Sequence, residues 1–201
     1  MPIAMRLVFI VLCSAAFAAP AFAENVRVRA TIEQIDGRVL HVKDRGGEKL
    51  RVRLADGARV TGLKKISLAD IEPGTFVGSA AVPSADGNLI ALEVHLFPES
   101  MRGTGEGHRP FDLQPNSTMT NATVSDAVMG KDGKTLTVKY KGGEKKIVVP
   151  PAAPVVTYVP GSVNDLKPGV QIVVSGGMRA ADGTIEASRV NYGQDGLTPP
   201  M

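Results

Sequence analysis

The fold is decided by a short stretch that occurs twice: residues 85–91 read ADGNLIA and residues 181–187 read ADGTIEA. Two further pairs recur in the same order, GGEK at 46–49 and 142–145, and LADIEPG at 68–74 with VNDLKPG at 163–169. All three pairs are separated by 95 or 96 residues. Matches that keep their order and spacing in this way predict an internal duplication.

Each copy has the alternation of apolar and polar residues that is typical of half-buried β-strands. The alternation begins at Val26, and tight turns are predicted at Asp36-Gly37 and Asp132-Gly133. It slips by one residue in the last strand of each copy, after Ala91 and after Ala187, which predicts a shared β-bulge. Before these strands, Ser67 and Ser162 are placed to cap a short helical turn.

The sequence therefore predicts an all-β protein of two tandem small OB-like β-barrels, each with one short helical turn. A flat β-sandwich is the alternative architecture. The expected segments are a signal peptide at 1–23, a first barrel at 24–97, a Gly- and Pro-rich linker at 98–120, a second barrel at 121–196 and a tail at 197–201.

The N-terminal segment predicts export. Arg6 precedes an apolar run from Leu7 to Ala19, and the run is followed by Ala21-Phe22-Ala23. This is the pattern of a secretory signal peptide, here cleaved before Glu24. The run is short and Ala-rich for a transmembrane helix, and a second long apolar segment does not follow it. We therefore expect a periplasmic mature chain without a transmembrane segment.

The composition argues against several classes of site. The chain has 23 Lys and Arg against 20 Asp and Glu, and a formal net charge of +3 is too small to indicate nucleic-acid binding. Its basic strand residues also lack the aromatic partners on which bases stack. The single cysteine, Cys13, excludes a disulfide framework and a cysteine-rich metal site, and Leu12 before it argues against lipidation. Since the sequence contains neither a nucleophile elbow nor a thiol in the mature chain, we expect a protein that is not an enzyme.

The region between the copies holds the candidate metal ligands. They are His95, Glu99, Met101, Glu106, His108 and Asp112. Imidazole and carboxylate suit zinc or Cu(II), and a thioether adds affinity for Cu(I). The two histidines are 13 residues apart and match no ligand motif. A solvated His95 on the outer face of its strand and a plain connector are therefore the competing interpretation.

The same region has features of an anion site. Arg102 and Arg109 flank three glycines, Gly103, Gly105 and Gly107, whose backbone N–H groups can converge on an anion. Glu106 opposes an anion at that position, and a flexible loop is the competing interpretation.

The repeated hairpins, the Asp-[Ile/Leu]-x-Pro-Gly turn and the Asp-Gly-x-[Leu/Ile]-x-Ala strand resemble secreted bacterial domains of unknown function with an OB-like barrel. The stretch from Phe97 to Asp112 resembles a segment of small proteobacterial proteins that are labelled metal transporter permeases. That label does not suit this chain, because a permease needs several membrane spans. The resemblance implies a fold and a compartment without an activity.

Two small barrels joined by a polar linker suit a binding or adaptor module. We expect a non-catalytic periplasmic protein that binds an envelope protein or glycan, without a cofactor, through one barrel or the linker. The alternative is a periplasmic metal-binding accessory protein that holds a transition metal such as copper or zinc with the six candidate ligands.

Overall fold

The structure is a computed structural model that describes residues 24–200; the predicted signal peptide at 1–23 lies outside the described residues. The described chain is all-β, as the sequence predicts. Its strands are β1 (Glu24–Asp36), β2 (Val39–Asp44), β3 (Lys49–Lys65), β4 (Phe76–Pro83), β5 (Leu89–Leu96), β6 (Gly107–Pro110), β7 (Thr118–Gly130), β8 (Gly133–Tyr140), β9 (Gly143–Val149), β10 (Val155–Pro160), β11 (Gln171–Arg179) and β12 (Ile185–Gly193). Single 3₁₀ turns are formed by Leu68–Asp70, Glu99–Met101, Val163–Asp165 and Gln194–Gly196.

Strands β1, β2, β3, β11 and β12 form a closed barrel, the first barrel. β1 pairs with β2 and β11, β2 pairs with β3, and β11 pairs with β12, all antiparallel. β12 closes the ring by running parallel to β3, from Ile185 beside Val52 to Gly193 beside Leu63. The apolar residues of these strands fill the interior, including Ile32, Leu40, Val52, Ile172, Ile185 and Val190.

Strands β4, β5, β7, β8 and β9 are joined in the same order and form the second barrel. β7 pairs with β4 and β8, β8 pairs with β9, and β4 pairs with β5, all antiparallel. The ring closes through two parallel pairs between β5 and β9, Leu89 with Ile147 and Ile90 with Val148. A separate apolar cluster fills this interior, including Val77, Val94, Val124, Leu136, Ile147 and Val149.

The two repeats predicted from the sequence exchange their final hairpins. Strands β1–β3 of the first repeat are completed by β11 and β12 of the second, and β7–β9 of the second are completed by β4 and β5 of the first. The strand pairing therefore does not follow the expected boundaries, 24–97 and 121–196, since neither range closes a ring by itself. Both final hairpins carry the same alternation and the same bulge, so local patterning does not say which three-stranded sheet each of them joins.

Strand β10 connects the two barrels. It pairs antiparallel with β3, from Val156 beside Lys65 to Pro160 beside Thr61, and parallel with β5, from Val155 beside Val94 to Thr157 beside Leu96. All twelve strands therefore belong to one hydrogen-bonded sheet.

The predicted bulges are confirmed. In β5 the pairing with β4 passes from Ala91 to Glu93 and leaves out Leu92, and in β12 the pairing with β3 leaves out Ser188. The bulge in β5 returns Val94 to the second core and turns Glu93 and His95 to the opposite face. The predicted cap at Ser67 is also present, because its Oγ accepts the N–H of Ala69 at 3.1 Å.

The predicted linker is ordered and adds a strand to the second barrel. Residues 98–106 form turns, and β6 then pairs with β7 from Gly107 beside Asn121 to Pro110 beside Thr118. Among the described residues we find no helix of the length and apolar character that crossing a membrane requires.

Candidate functional site

A cleft of about 320 Å³ lies between the two barrels, and we call it the inter-barrel cleft. β1, β3, β11 and β12 form one wall, and β5, β6, β7, β10 and the linker form the other. The cleft exists because the bulged strands β5 and β12 each turn one face towards a barrel core and the other face towards the partner barrel. Its two walls differ in chemistry.

The wall from the first barrel is polar throughout. It consists of Arg27, Arg59, Thr61, Ser175, Arg189 and Asn191. Strand alternation explains this composition, because Val60 and Val190, between the wall residues of β3 and β12, are buried in the first core. The wall therefore presents three guanidinium groups together with hydroxyl and amide groups.

Arg59 and Arg189 are direct neighbours in this wall. They form one residue pair of the parallel contact between β3 and β12, so their side chains leave the same face of the sheet side by side. Both are exposed, and neither forms an ion pair with any residue between 24 and 200. Like charges at paired positions repel each other, and an anion held between the two guanidinium groups would remove that repulsion.

The opposite wall combines apolar and polar side chains. Its apolar and aromatic members, Phe97, Met101, Phe111, Met119 and Tyr158, form an apolar patch, and the polar members of the same wall are His95, Ser100, Thr104, Arg109 and Asn121. The ring of Phe97 stacks on that of Tyr158 with centroids 5.1 Å apart. Gly78 provides the space for this ring, since a Cβ at Gly78 would lie 2.9 Å from Cε2 of Phe97. A small residue on β4 thus lets an aromatic surface form beside the cleft.

A buried polar chain lies behind this wall. Glu93 and His95 are 0% and 1% exposed, and the Oε2 atom of Glu93 lies 3.2 Å from Nε2 of His95. That distance is within ion-pair range, but the two atoms lack the geometry of a hydrogen bond. The other ring nitrogen of His95, Nδ1, hydrogen-bonds the Tyr158 hydroxyl at 3.1 Å. Burial, and secondarily the Glu93 carboxylate, raise the pKa of Tyr158 well above its usual value, so the phenol keeps its proton at neutral pH.

The expected solvent exposure of His95 is wrong. The side chain does point away from the core of the second barrel, but strand β10 and the first barrel cover that face. An outer strand face of an isolated barrel is solvated, whereas here it lies at the contact between two barrels.

The structure does not bring the six candidate metal ligands together. Glu99 binds Arg102 through both carboxylate oxygens at 2.6 and 2.7 Å, and Glu106 accepts the backbone N–H of Lys141 at 2.9 Å. His108 hydrogen-bonds Thr120 at 2.8 Å, Asp112 binds Arg27 and Arg29, Met101 lies on the cleft, and His95 lies beside Glu93. Within residues 24–200, no group of three or more His, Cys, Asp or Glu is placed to hold a metal ion.

The expected anion nest does not form as a single site either. Arg102 binds Glu99 and the carbonyl oxygen of Gly74, while Arg109 donates to the carbonyl oxygen of Gly105 at 2.7 Å. Of the two arginines, only Arg109 contributes to the cleft.

Asp112 attaches the linker to the first barrel. Its carboxylate accepts hydrogen bonds from Arg27 at 2.5 Å and from Arg29 at 3.0 and 3.2 Å, and the Arg27 guanidinium lies 4.6 Å from the ring centre of Phe111. Burial opposes ionisation of Asp112, but the hydrogen bonds and charges of Arg29 and Arg27 outweigh it and hold the pKa below its usual value.

We expect Asp112→Asn to destabilise the protein fully above about pH 4, the ordinary pKa of an aspartate, and progressively less below it. Because the folded pKa is lowered, the ion pairs stabilise the fold above the unfolded pKa, and their contribution is lost as the pH falls through the folded pKa. The side chain is 51% exposed, so the loss at pH 7 should be about 0.2–1 kcal/mol. Urea unfolding at pH 7 and pH 3 measures it, with the fully exposed Asp56→Asn as the control. An equal loss of stability at both pH values would show that the effect does not come from the ionised carboxylate of Asp112.

Sequence reasoning missed two parts of this site. Glu93 was not distinguished from the other carboxylates, although its position two residues before His95 placed both on one face. Arg59 cannot be distinguished from the other basic strand residues in the sequence, because its pairing with Arg189 depends on strands that lie about 130 residues apart. Comparison with protein-family models, curated proteins and solved structures finds no match to this chain.

Proposed function

We propose that this chain is a non-catalytic binding protein of the cell envelope that holds an anionic group of its ligand in the inter-barrel cleft. The observation that carries the proposal is the adjacent pair Arg59 and Arg189, which face the cleft without an acidic partner among the described residues. Hydrogen bonds from guanidinium groups to carboxylate or phosphate are among the strongest in proteins. Asn191 and Thr61, in the same wall, supply further donors.

The proposed compartment depends on the sequence pattern of residues 1–23, and it stays a prediction. We further propose that the fold arose by duplication of an OB-like unit. In each ring a meander of three strands, a final hairpin and a parallel pairing between the third strand and the last support this proposal. The resemblance to secreted bacterial domains of unknown function agrees with this proposal.

The metal-binding alternative has less support. It requires the six candidate ligands to converge, whereas the described residues place each of them with a different partner. An anionic ligand, in contrast, uses groups that already face a common space.

We expect the double variant Arg59→Ala/Arg189→Ala to weaken the binding of inorganic phosphate at least tenfold. Each lost charge-assisted hydrogen bond is worth about 1.5–3 kcal/mol. Residues 24–201 are titrated with phosphate and followed by NMR, and the signals that shift should lie around the cleft. The unliganded variant should be at least as stable as the parent, because a like-charge contact is removed.

The matched control is Arg51→Ala/Arg53→Ala, which also removes two positive charges, both from β3, the strand that carries Arg59. These two arginines pair with Asp182 and Glu186. If both double variants lose affinity equally, phosphate responds to net charge, and the cleft is not the site.

A further inference from the structure

The two walls of the inter-barrel cleft recognise different kinds of group. The wall of the first barrel carries three arginines and no apolar side chain, while the facing wall carries Phe97, Met101, Phe111, Met119 and the ring of Tyr158. A fully polar ligand would leave the apolar side chains of this second wall unused, and a fully apolar ligand would leave the arginines without a partner.

We propose that the ligand is an amphipathic anion, that is, a carboxylate or phosphate attached to a single apolar chain or ring. This inference rests on the proposed function and names the chemistry of its ligand. The anionic group lies between Arg59 and Arg189, and the apolar part lies along the rings of Phe97 and Tyr158.

The environment of the anionic group is cationic on balance. Arg27 shares the wall but is paired with Asp112, and Arg109 reaches the cleft from the opposite side. The Glu93 carboxylate is fully buried beside His95 and does not line the cleft. Asn191, 8% exposed and next to Val190 on β12, adds an amide close to Arg189.

The apolar wall suits a flexible chain. Met119 and Phe97 are buried at 5% and 8% exposure, and the partly exposed Met101 lies on the linker above them. Methionine side chains adapt to irregular apolar shapes, and aromatic faces add area without much loss of side-chain freedom. Each methylene buried here should increase affinity about fourfold.

The size of the cleft restricts the ligand further. A volume of about 320 Å³ is at the lower end of the range for small-molecule sites. It suits one short chain or ring with its charged group.

The test titrates residues 24–201 with four soluble probes by calorimetry. Octyl phosphate and octanoate carry the proposed combination, inorganic phosphate lacks the chain, and octyl glucoside lacks the charge. We expect both octyl anions to bind at least tenfold more tightly than inorganic phosphate, and octyl glucoside to bind at least tenfold more weakly than the octyl anions. The ratio between octyl phosphate and octanoate then identifies the preferred anionic group.

Two variants locate the two parts of the ligand. Arg59→Ala/Arg189→Ala should weaken the binding of both octyl anions at least tenfold. Met101→Gln, at a partly exposed linker position, should weaken the binding of the octyl anions about two- to fivefold, and its effect on the binding of inorganic phosphate should be smaller.

The outcomes separate this inference from the proposed function. If inorganic phosphate binds at Arg59 and Arg189 and the octyl chain adds nothing, the amphipathic ligand is wrong and the anion site stands. If octyl glucoside binds as well as octyl phosphate, or if the octyl anions shift NMR signals away from the cleft, the inference is also overturned. If no anion depends on the two arginines, both proposals fail.

Discussion

His95→Ala is expected to lower the free energy of unfolding by about 3–5 kcal/mol, the range for removing one partner of a buried acid–base pair. Glu93 is fully buried, and its Oε2 atom lies 3.2 Å from His95 Nε2. Without the imidazole, the carboxylate stays in the contact between the barrels without a hydrogen-bond donor from the described residues. The Tyr158 hydroxyl loses its bond to Nδ1 at the same time.

This effect is measured by chemical denaturation of three variants: His95→Ala, His41→Ala and the double variant Glu93→Leu/His95→Leu. His41 is a partly exposed residue of β2, so its replacement should cost at most about 0.5 kcal/mol. The double leucine variant should recover most of the stability, because replacing both members of a buried pair by apolar groups is often neutral. If His95→Ala lowers the free energy of unfolding no more than His41→Ala does, the burial of Glu93 does not depend on the imidazole.

Ending the chain after Val170 is expected to unfold the first barrel, although that barrel begins at the opposite end of the sequence. The truncation removes β11 and β12, so β1 loses its partner β11 and β3 loses its parallel partner β12. The core of β1–β3, which includes Ile32 and Val52, then opens to water. All five strands of the second barrel precede Val170 and should keep their pairing.

Amide hydrogen exchange measures this outcome residue by residue. Amides of β1–β3 should exchange at rates close to those of an unfolded chain, while amides of β7–β9 stay protected. The matched variant begins at Leu68 and lacks β1–β3; it should release β11 and β12 and preserve the second barrel. If the truncation after Val170 instead exposes β7–β9 and leaves β1–β3 protected, each repeat closes its own barrel and the exchange of hairpins is wrong.

The candidate site was predictable from the sequence only in part. His95 and Met101 were singled out and both contribute to the cleft, but the expected common site of all six metal ligands does not form among the described residues. Residue type and spacing along the chain cannot show that Glu99 is bound by Arg102 or Asp112 by two arginines. These contacts depend on how the linker crosses the barrels.

The sequence by itself determined the local structure of this protein. Alternation predicted the strands, the slips after Ala91 and Ala187 predicted the bulges, and the serine at position 67 predicted a capped turn; each depends on neighbours within a few residues. The tertiary structure alone decided which hairpin closes which barrel, that Glu93 and His95 are buried, and that Arg59 lies beside Arg189. The physical reason is that the two predicted repeats have the same pattern of strands and offer each strand two similar partners, and long-range packing chooses between them.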